Sequence, residues 1–460
     1  MSKLIKQRVP LATQPLKTSA ATGAAVAALG FRETIPLLHG AQGCAAFSKV
    51  FLISHFREPI PIQNTAIDHI SAVMGGDENL FEALLLLCEK HSPELVAVMT
   101  TGLTEMQGTD LARVIVEFKK AHPHFISTHI VPMNTPDFSG SMQTGFAHAV
   151  DRVVRQVVKP PVRHQSEKKQ VTVLCSVGLS GADIETLKRY VEAFDLKAVF
   201  VPDISLSLDG HMGSEEFVST SMGGTSLQEV EQISNSAATI VVGESMMPTA
   251  RWLNKCFSIP IIESQMCMGI DQTDNLIMAL AELSDKPVPQ WITLQRKRLQ
   301  DAMVDTHFFL SSSRMSLGLE PDLALGYSAL LRSVGVDIER LVTTIDTSGV
   351  KTIEAKTLMV GDLSMLAQEG DEVDAIISNS HAANIYEPDV PVLRAGFPCH
   401  DQFGNMDIKQ IGYEGSRERL FALANKVMHN QHTVSPHQSI YRFNAEQVRP
   451  TSQRQGSALC

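Results

Sequence analysis

Short runs of β-branched and aliphatic residues alternate along most of the chain with longer segments of helical periodicity. Such alternation is typical of strand–helix–strand units, in which parallel strands are buried on both faces and ligands bind at the carboxyl ends of the strands. The predicted strands are 94–102, 124–136, 171–181, 197–205, 238–245, 259–264, 314–321, 340–348, 356–362, 374–380 and 392–398. Because they form three groups, the pattern predicts an α/β fold of three doubly wound, Rossmann-like domains with parallel sheets.

Composition places the boundaries between these regions. The segment 158–170 combines two prolines with a run of charges and is predicted to be a linker. A long helix from 295 to about 310 leads from the second region towards the third. The predicted domains are therefore 1–160, 171–300 and 301–435, and the segment 436–460, rich in Gln, Arg and Ser, is predicted to be a loose tail.

Charge and hydropathy exclude several classes of protein. The net charge of −11 argues against a nucleic-acid-binding surface. No apolar stretch approaches the ~20 residues of a membrane span, and the N-terminus lacks the apolar core of a secretion signal. The seven cysteines are odd in number and scattered, which argues against a disulfide framework. These features predict a protein of the reducing cytoplasm.

Common catalytic and nucleotide-binding motifs do not occur. GxGxxG, GxxxxGK[ST], HExxH and GxSxG are all missing from the sequence. The turn "CSVGLSG" (175–181) opens a predicted helix and offers free backbone N–H groups, but its small residues are better explained by a tight turn. No nucleotide or common hydrolase site is therefore predicted.

Most of the cysteines occur in contexts typical of structural residues. Free cysteine is often buried as a small apolar side chain. This interpretation is preferred for Cys88, Cys175, Cys256 and Cys267. Cys399 is different, because it ends a predicted strand beside His400 and Asp401, and these three residues form a candidate site without an assigned role. Cys460 is the last residue of the chain.

Cys44 lies in the segment "HGAQGCAAF" (39–47), between glycines that admit close backbone approach and alanines that leave space beside the sulfur. The following segment, 47–59, is predicted to be a helix that ends before Pro59. A thiol near a helix N-terminus is expected to have a lowered pKa, which suits a metal ligand or a nucleophile with His39 as its base. Core filling is the third interpretation, and spacing alone does not choose among the three.

Several segments resemble the nitrogenase component 1 family, on its β-chain side. They are "ALGFRETIPLLHGAQGCAAF" (28–47), "HFREP" (55–59), "MTTGLTEMQGTDL" (99–111), "GADIETLKRYVEAF" (181–194) and "RAGFP" with "GYEGSRERLFALAN" (394–425). The resemblance runs from about residue 17 to 430 with the order of the segments kept. It implies a chain of three α/β domains that works together with a related α chain.

The departures from this family are informative. In nitrogenase β chains three cysteines serve the eight-iron P-cluster, and the matching positions here are Ser19, Cys44 and Gly102. A [4Fe–4S] cluster is held by four cysteine thiolates. The resemblance therefore implies the cofactor-assembly branch of the family, in which Cys44 is the one ligand from this chain to a [4Fe–4S] cluster shared with a partner subunit.

The resemblance also implies partners and a role. An α-type subunit would pair with this chain in an α2β2 heterotetramer and would hold the FeMo-cofactor precursor during insertion of molybdenum and homocitrate. A precursor donor protein and the nitrogenase Fe protein would bind transiently. Met74, in "SAVMGGDENL", falls where the family presents an apolar residue to the Fe protein, and the alternative interpretation is an ordinary core residue at a helix start. The chain is expected to be a scaffold without turnover of its own.

Three alternatives remain open on the sequence. The chain could be a nitrogenase β chain proper or a subunit of a chlorophyll-pathway reductase. It could be an interaction subunit of the same fold that binds no cluster, in which case substitution of Cys44 has no consequence. It could also be an independent thiol enzyme that uses Cys44 and His39, which requires a reactive thiol of low pKa in the isolated chain.

Overall fold

A computed structural model describes residues 4–6, 12–161, 167–210, 218–368 and 370–431. The strands are β1 (Leu4–Lys6), β2 (Thr34–His39), β3 (Gln63–Asn64), β4 (Leu95–Thr100), β5 (His129–Met133), β6 (Glu167–Cys175), β7 (Lys197–Val201), β8 (Ser236–Val242), β9 (Ile261–Glu263), β10 (Arg314–Leu319), β11 (Asp337–Thr343), β12 (Thr357–Val360), β13 (Ala375–Ser378) and β14 (Val392–Arg394). The helices are α1 (Ala20–Leu29), α2 (Gln42–Phe56), α3 (His69–Met74), α4 (Asp77–His91), α5 (Gly102–Gln107), α6 (Leu111–Ala121), α7 (Met142–Val157), α8 (Gly181–Glu192), α9 (Leu227–Gln232), α10 (Met247–Phe257), α11 (Gly269–Ser284), α12 (Gln290–Leu310), α13 (Pro321–Ser333), α14 (Ser380–Tyr386) and α15 (Gly412–Gln431).

These strands form three sheets, and every strand pair is parallel. The strand orders are β3-β2-β4-β5 in the first sheet, β7-β6-β8-β9 in the second and β1-β12-β11-β10-β13-β14 in the third. Parallel strands require crossover connections, which the intervening helices supply. The predicted α/β fold with doubly wound parallel sheets is confirmed.

The two ends of the first region differ from the sequence prediction. β1 does not join the first sheet but pairs with β12, with Leu4 opposite Leu358, so residues 4–6 extend the third sheet. The predicted linker is also too long, because β6 begins at Glu167 and Gln170 is paired opposite Lys197. The side-chain amide of Gln170 is buried and donates to Ser236 Oγ of β8 at 3.0 Å, so this polar residue of the predicted linker belongs to the sheet.

The predicted domain limits themselves stay predictions. Residues 436–460, including Cys460, lie outside the described residues.

An alanine-rich helix anchors the first sheet. All ten residues of α1 are buried, since α1 packs against α7 on one side and against β2 and β4 on the other. A Cβ at Gly23 would lie 1.9 Å from the Met142 carbonyl oxygen, and one at Gly145 would lie 1.8 Å from that of Ala20. The two helices therefore cross in backbone contact, and this crossing positions the start of α1 beside α2.

Candidate functional site

Cys44 lies in the first turn of α2, directly after the carboxyl end of β2. This helix begins at Gln42, five residues before the predicted start at 47, and it ends at Phe56, before Pro59 as predicted. The thiol is half-buried and packs against the main core on one side. A Cβ added at Gly43 would meet no atom within 4 Å, so open space adjoins the first turn on the other side.

The expected lowering of the Cys44 pKa is wrong for the isolated chain. Burial raises the pKa of the thiol, and the carboxylate of Asp137 raises it further. The backbone N–H groups of Ala41 and Cys44 act in the opposite direction but do not outweigh these two causes. The thiol is therefore protonated at neutral pH and a poor nucleophile, and a bound metal would be needed to stabilise its thiolate.

The first of the two lost cysteine positions lies beside α2. Ser19 caps α1, and its Oγ accepts a hydrogen bond from Thr22 N–H at 3.2 Å. The Thr22 hydroxyl in turn lies 3.2 Å from the hydroxyl of Ser48. Because Ser48 is one helical turn after Cys44, this chain of contacts brings position 19 to the helix that carries the cysteine.

The second lost position is linked to Cys44 through Asp137. Gly102 is the first residue of α5, and its N–H donates to Asp137 Oδ2 at 3.2 Å. The same carboxylate acts on the Cys44 thiol. Contacts thus connect position 19 to α2 and position 102 to a carboxylate that acts on Cys44, and Cys44 is the only thiol among the three positions.

His39 does not act on Cys44. Its side chain is fully buried, Nδ1 lies 3.0 Å from the Thr65 hydroxyl, and Nε2 has no partner among the described residues. Burial lowers the pKa of His39 to about 4, so the ring is neutral at pH 7. Its backbone carbonyl accepts from the hydroxyls of Thr101 and Thr104. His39 therefore ties together the loops at this sheet edge, and the Cys44–His39 thiol enzyme is not supported.

The neutral, buried His39 predicts an acid-sensitive fold. An unfolded histidine has a pKa near 6.5 and the folded ring one of about 4, so its stabilising contribution is complete above pH 6.5 and is lost as the pH falls towards 4. His39→Asn keeps an acceptor near the Nδ1 position but does not titrate. Between pH 7 and pH 5 we expect wild type to lose about 2 kcal/mol more stability than the variant. Thermal unfolding at both pH values measures this, and equal losses would contradict it.

Cys399 fastens the third sheet to the far end of α2. Its thiol is buried and donates to the Gly396 carbonyl, with sulfur and oxygen 3.4 Å apart, and burial raises its pKa to about 12. Its backbone N–H donates to His55 Nδ1 at 3.0 Å. This local geometry supports a structural role for Cys399.

His400 and Asp401 add further contacts between the segment after β14, the strand β14 itself and the end of α2. The His400 carbonyl accepts from Arg57 Nη2 at 2.8 Å, just beyond α2. The carboxylate of Asp401 pairs with the Arg394 guanidinium at 2.6 Å, and hydrogen bonds from Arg394 and Ser380 help to hold the pKa of Asp401 at about 2, against the opposing effect of burial. These contacts support a structural role for His400 and Asp401, to which the sequence analysis assigned no role.

The remaining described cysteines follow the structural interpretation with one exception. Cys88, Cys175 and Cys267 are buried, as expected of small apolar residues. Cys256 is exposed, so its predicted core position is wrong. It lies outside the face that α10 buries through Ala250 and Leu253.

Exposed apolar side chains occur on α2, which carries Cys44, and on α3 and α5. They are Phe47, Val50 and Ile53 of α2, Ile70, Val73 and Met74 of α3, and Leu103 and Met106 of α5. Met74 is 81% exposed, so it is a surface residue and not a core residue at a helix start. The Gln107 amide donates to the carbonyls of Ser71 and Ala72 and thereby joins α5 to α3. Apolar surface of this extent is typical of a protein interaction site.

The described part of the chain does not form a complete metal site of its own around Cys44. Within those residues, no group of three or more His, Cys, Asp or Glu side chains is arranged to hold a metal ion. One half-exposed thiol beside open space and an exposed apolar surface fits a cluster completed by another subunit. None of the described helices is both long and apolar enough to cross a membrane.

Comparisons with known proteins agree with the resemblance seen in the sequence. The sequence model of the "Nitrogenase component 1 type Oxidoreductase" family matches residues 19–428. The "Nitrogenase iron-molybdenum cofactor biosynthesis protein NifN" of Nostoc sp. is 41% identical over 90% of this chain and 93% of its own length. NifN of Klebsiella pneumoniae is 37% identical over 97% of both chains.

A solved structure supports the same assignment. The structure titled "Nitrogenase Cp1 at pH 6.5" superposes with a TM-score of 0.86 at 28% identity, covering 95% of this chain and 98% of that one. Agreement in sequence, length and fold leaves one conclusion: the chain belongs to the nitrogenase component 1 family.

Proposed function

We propose that this chain is the β-like subunit of a NifEN-type scaffold on which the iron-molybdenum cofactor of nitrogenase is matured. The NifN relatives carry that biosynthetic role in their names and match nearly the whole chain. The observation that carries the proposal concerns the three positions at which nitrogenase β chains have P-cluster cysteines. In this chain they are Ser19, Cys44 and Gly102, so Cys44 is the only thiol among them. A chain with this donor set is suited to one shared four-iron cluster and not to an eight-iron cluster.

In this proposal Cys44 supplies one thiolate to a [4Fe–4S] cluster, and a NifE-like α subunit supplies the other three. When bound, such a cluster carries single electrons. The half-exposed thiol and the space beside Gly43 support a ligand that reaches across a subunit interface. The chain itself would contribute the ligand, the surrounding charge and the docking surfaces, and the precursor would remain in the partner.

The exposed apolar surface supports two kinds of partner. The α2 side chains Phe47, Val50 and Ile53 adjoin Cys44 and are suited to a permanent contact with the NifE-like subunit in an α2β2 heterotetramer. The α3 side chains, including Met74, are suited to transient docking of the nucleotide-bound Fe protein. A precursor donor protein is the third proposed partner, and all of these proteins would meet in the cytoplasm.

The docking role of Met74 predicts a defect that is specific to the Fe protein. Met74→Asp introduces a charge into the apolar surface of α3, and we expect Fe-protein affinity to fall about tenfold or more, because a desolvated apolar contact becomes a buried unpaired charge. Met278→Asp is the matched control, since Met278 is 61% exposed on α11, which packs against α12, α13 and α15. Binding of the Fe protein to each complex measures the effect. Equal affinity of the two variants would contradict the docking role.

A maturation assay tests the proposed function. The complex of this chain with its NifE-like partner, loaded with precursor, is incubated with molybdate, homocitrate, Fe protein and MgATP, and then with component 1 protein that lacks its cofactor. Activation of that protein is the expected result. An assembled, precursor-loaded complex that never activates it would overturn the scaffold role, and reduction of a substrate by the complex alone would favour a reductase instead.

A further inference from the structure

We propose that the carboxylate of Asp137 lowers the reduction potential of the cluster to which Cys44 contributes. This inference rests on the proposed function and adds a role for a residue outside the cysteine positions. Asp137 lies between β5 and α7, 93 positions from Cys44 in the sequence. The fold brings it to the carboxyl edge of the first sheet, where α2 also begins.

The backbone of α5 fixes the carboxylate in place. Gly102 N–H donates to Asp137 Oδ2 at 3.2 Å. A Cβ at Gly102 would lie 3.6 Å from this oxygen and 3.8 Å from a ring carbon of Phe138, so a side chain at position 102 would point towards Asp137. A negatively charged side chain therefore stands beside the position that the family's third thiolate would occupy.

The loop that leads to Cys44 contacts the same helix start. The Thr101 hydroxyl donates to the His39 carbonyl at 3.3 Å. Asp137, bound to the N–H of the next residue, Gly102, therefore lies at the sheet edge where α2 begins. Reduction of a bound cluster adds one negative charge at this edge, and repulsion by the Asp137 carboxylate makes the cluster harder to reduce.

Nothing in the described part of the chain neutralises this carboxylate. None of the ion pairs among those residues includes Asp137. The next residue in the chain, Phe138, is 65% exposed. A subunit that covers this apolar side chain would exclude water from the carboxylate, and the lower dielectric would strengthen its effect on the cluster.

Three variants separate charge from shape. Asp137→Asn removes the charge and keeps an oxygen that accepts from Gly102 N–H, whereas Asp137→Glu keeps the charge. Glu89→Gln is the matched control, because it also removes one exposed carboxylate. Glu89 lies near the far end of α4, twelve residues or about 18 Å after the first residue of this helix, Asp77. Each variant is purified as the complex with the NifE-like partner, with Cys44 intact. The readout is the midpoint potential of the four-iron signal in an EPR-monitored redox titration.

We expect Asp137→Asn to raise the midpoint potential, so that the ratio of reduced to oxidised cluster at the wild-type midpoint increases roughly threefold or more. Asp137→Glu and Glu89→Gln should stay near wild type. An unchanged potential in Asp137→Asn at wild-type iron content would overturn the inference, as would an equal shift in Glu89→Gln. Loss of iron in Asp137→Asn would also overturn it, because Asp137 would then be a ligand or a structural residue. A failure of the proposed function appears separately, as a cluster insensitive to Cys44.

Discussion

Replacement of Cys44 by alanine is expected to abolish or strongly alter the four-iron EPR signal of the complex with the NifE-like partner, and to lower its iron content by up to about four atoms per pair. Alanine offers no ligand, and three thiolates leave one iron open to solvent and to loss. The fold should tolerate the change, since the thiol is half-buried and lies beside open space. Iron analysis and EPR of the anaerobically purified complex measure the effect.

Cys256→Ala is the control for this experiment. Cys256 is also a free cysteine on a helix but is exposed on α10, which packs against β8 and β9 of the second sheet. We expect it to keep the iron content and the signal of wild type. If Cys44→Ala also kept both, the cluster would be held without this chain, and Cys44 would be a packing residue beside a small-residue turn.

Gly145→Ala is expected to be the most destabilising single-methyl substitution at the crossing of α1 and α7. Its Cβ would lie 1.8 Å from the Ala20 carbonyl oxygen and 2.5 Å from the carbonyl carbon, so the two backbones must move apart. Overpacking of a core costs about 1–3 kcal/mol, and contact with backbone atoms places this case at or above about 3 kcal/mol. Loss of soluble chain, or a large fall in its thermal unfolding midpoint, is the expected result.

Gly43→Ala provides the comparison for that prediction. Position 43 is helical, and a Cβ there meets no atom within 4 Å, so alanine should be neutral or stabilise the isolated chain by up to about 1 kcal/mol through helix propensity. Equal unfolding midpoints for the two variants would contradict the close crossing. A relaxed crossing would also move Ser19 and Thr22 relative to Ser48, because these residues lie at the start of α1.

Local patterns predict much of this fold. The predicted strand 374–380 contains β13, and the predicted strand 238–245 overlaps β8, which begins two residues earlier, because buried parallel strands have continuous apolar sequences. The central strand β2 was not predicted, because "TIPLLH" is short and contains Pro36, which argues against a central strand. In the structure Pro36 lies opposite Ala97 of β4, and on the other side of β2 the strand β3 pairs only at Leu37 and Leu38.

Contacts between distant segments account for what the sequence left open. The pairing of β1 with β12 joins strands more than 350 residues apart, and no local pattern specifies it. Burial of the Cys44 thiol, and after it the charge of Asp137, arise only through the fold, so the helix-terminus rule gave the wrong direction for the thiol pKa. The role of Cys399 likewise depends on His55, 344 residues away. The ligand role of Cys44 stays a prediction from the family resemblance, because the motif alone left three interpretations open.

The shared-cluster proposal is tested most directly by the iron content and EPR spectrum of this chain purified anaerobically alone, and again after assembly with the NifE-like partner. The expected result is no four-iron signal in the isolated chain and about four iron atoms at the interface of each assembled pair. An isolated chain that retained a four-iron cluster would contradict a ligand set shared between subunits. An assembled pair without an interface cluster would contradict the metal-ligand role of Cys44.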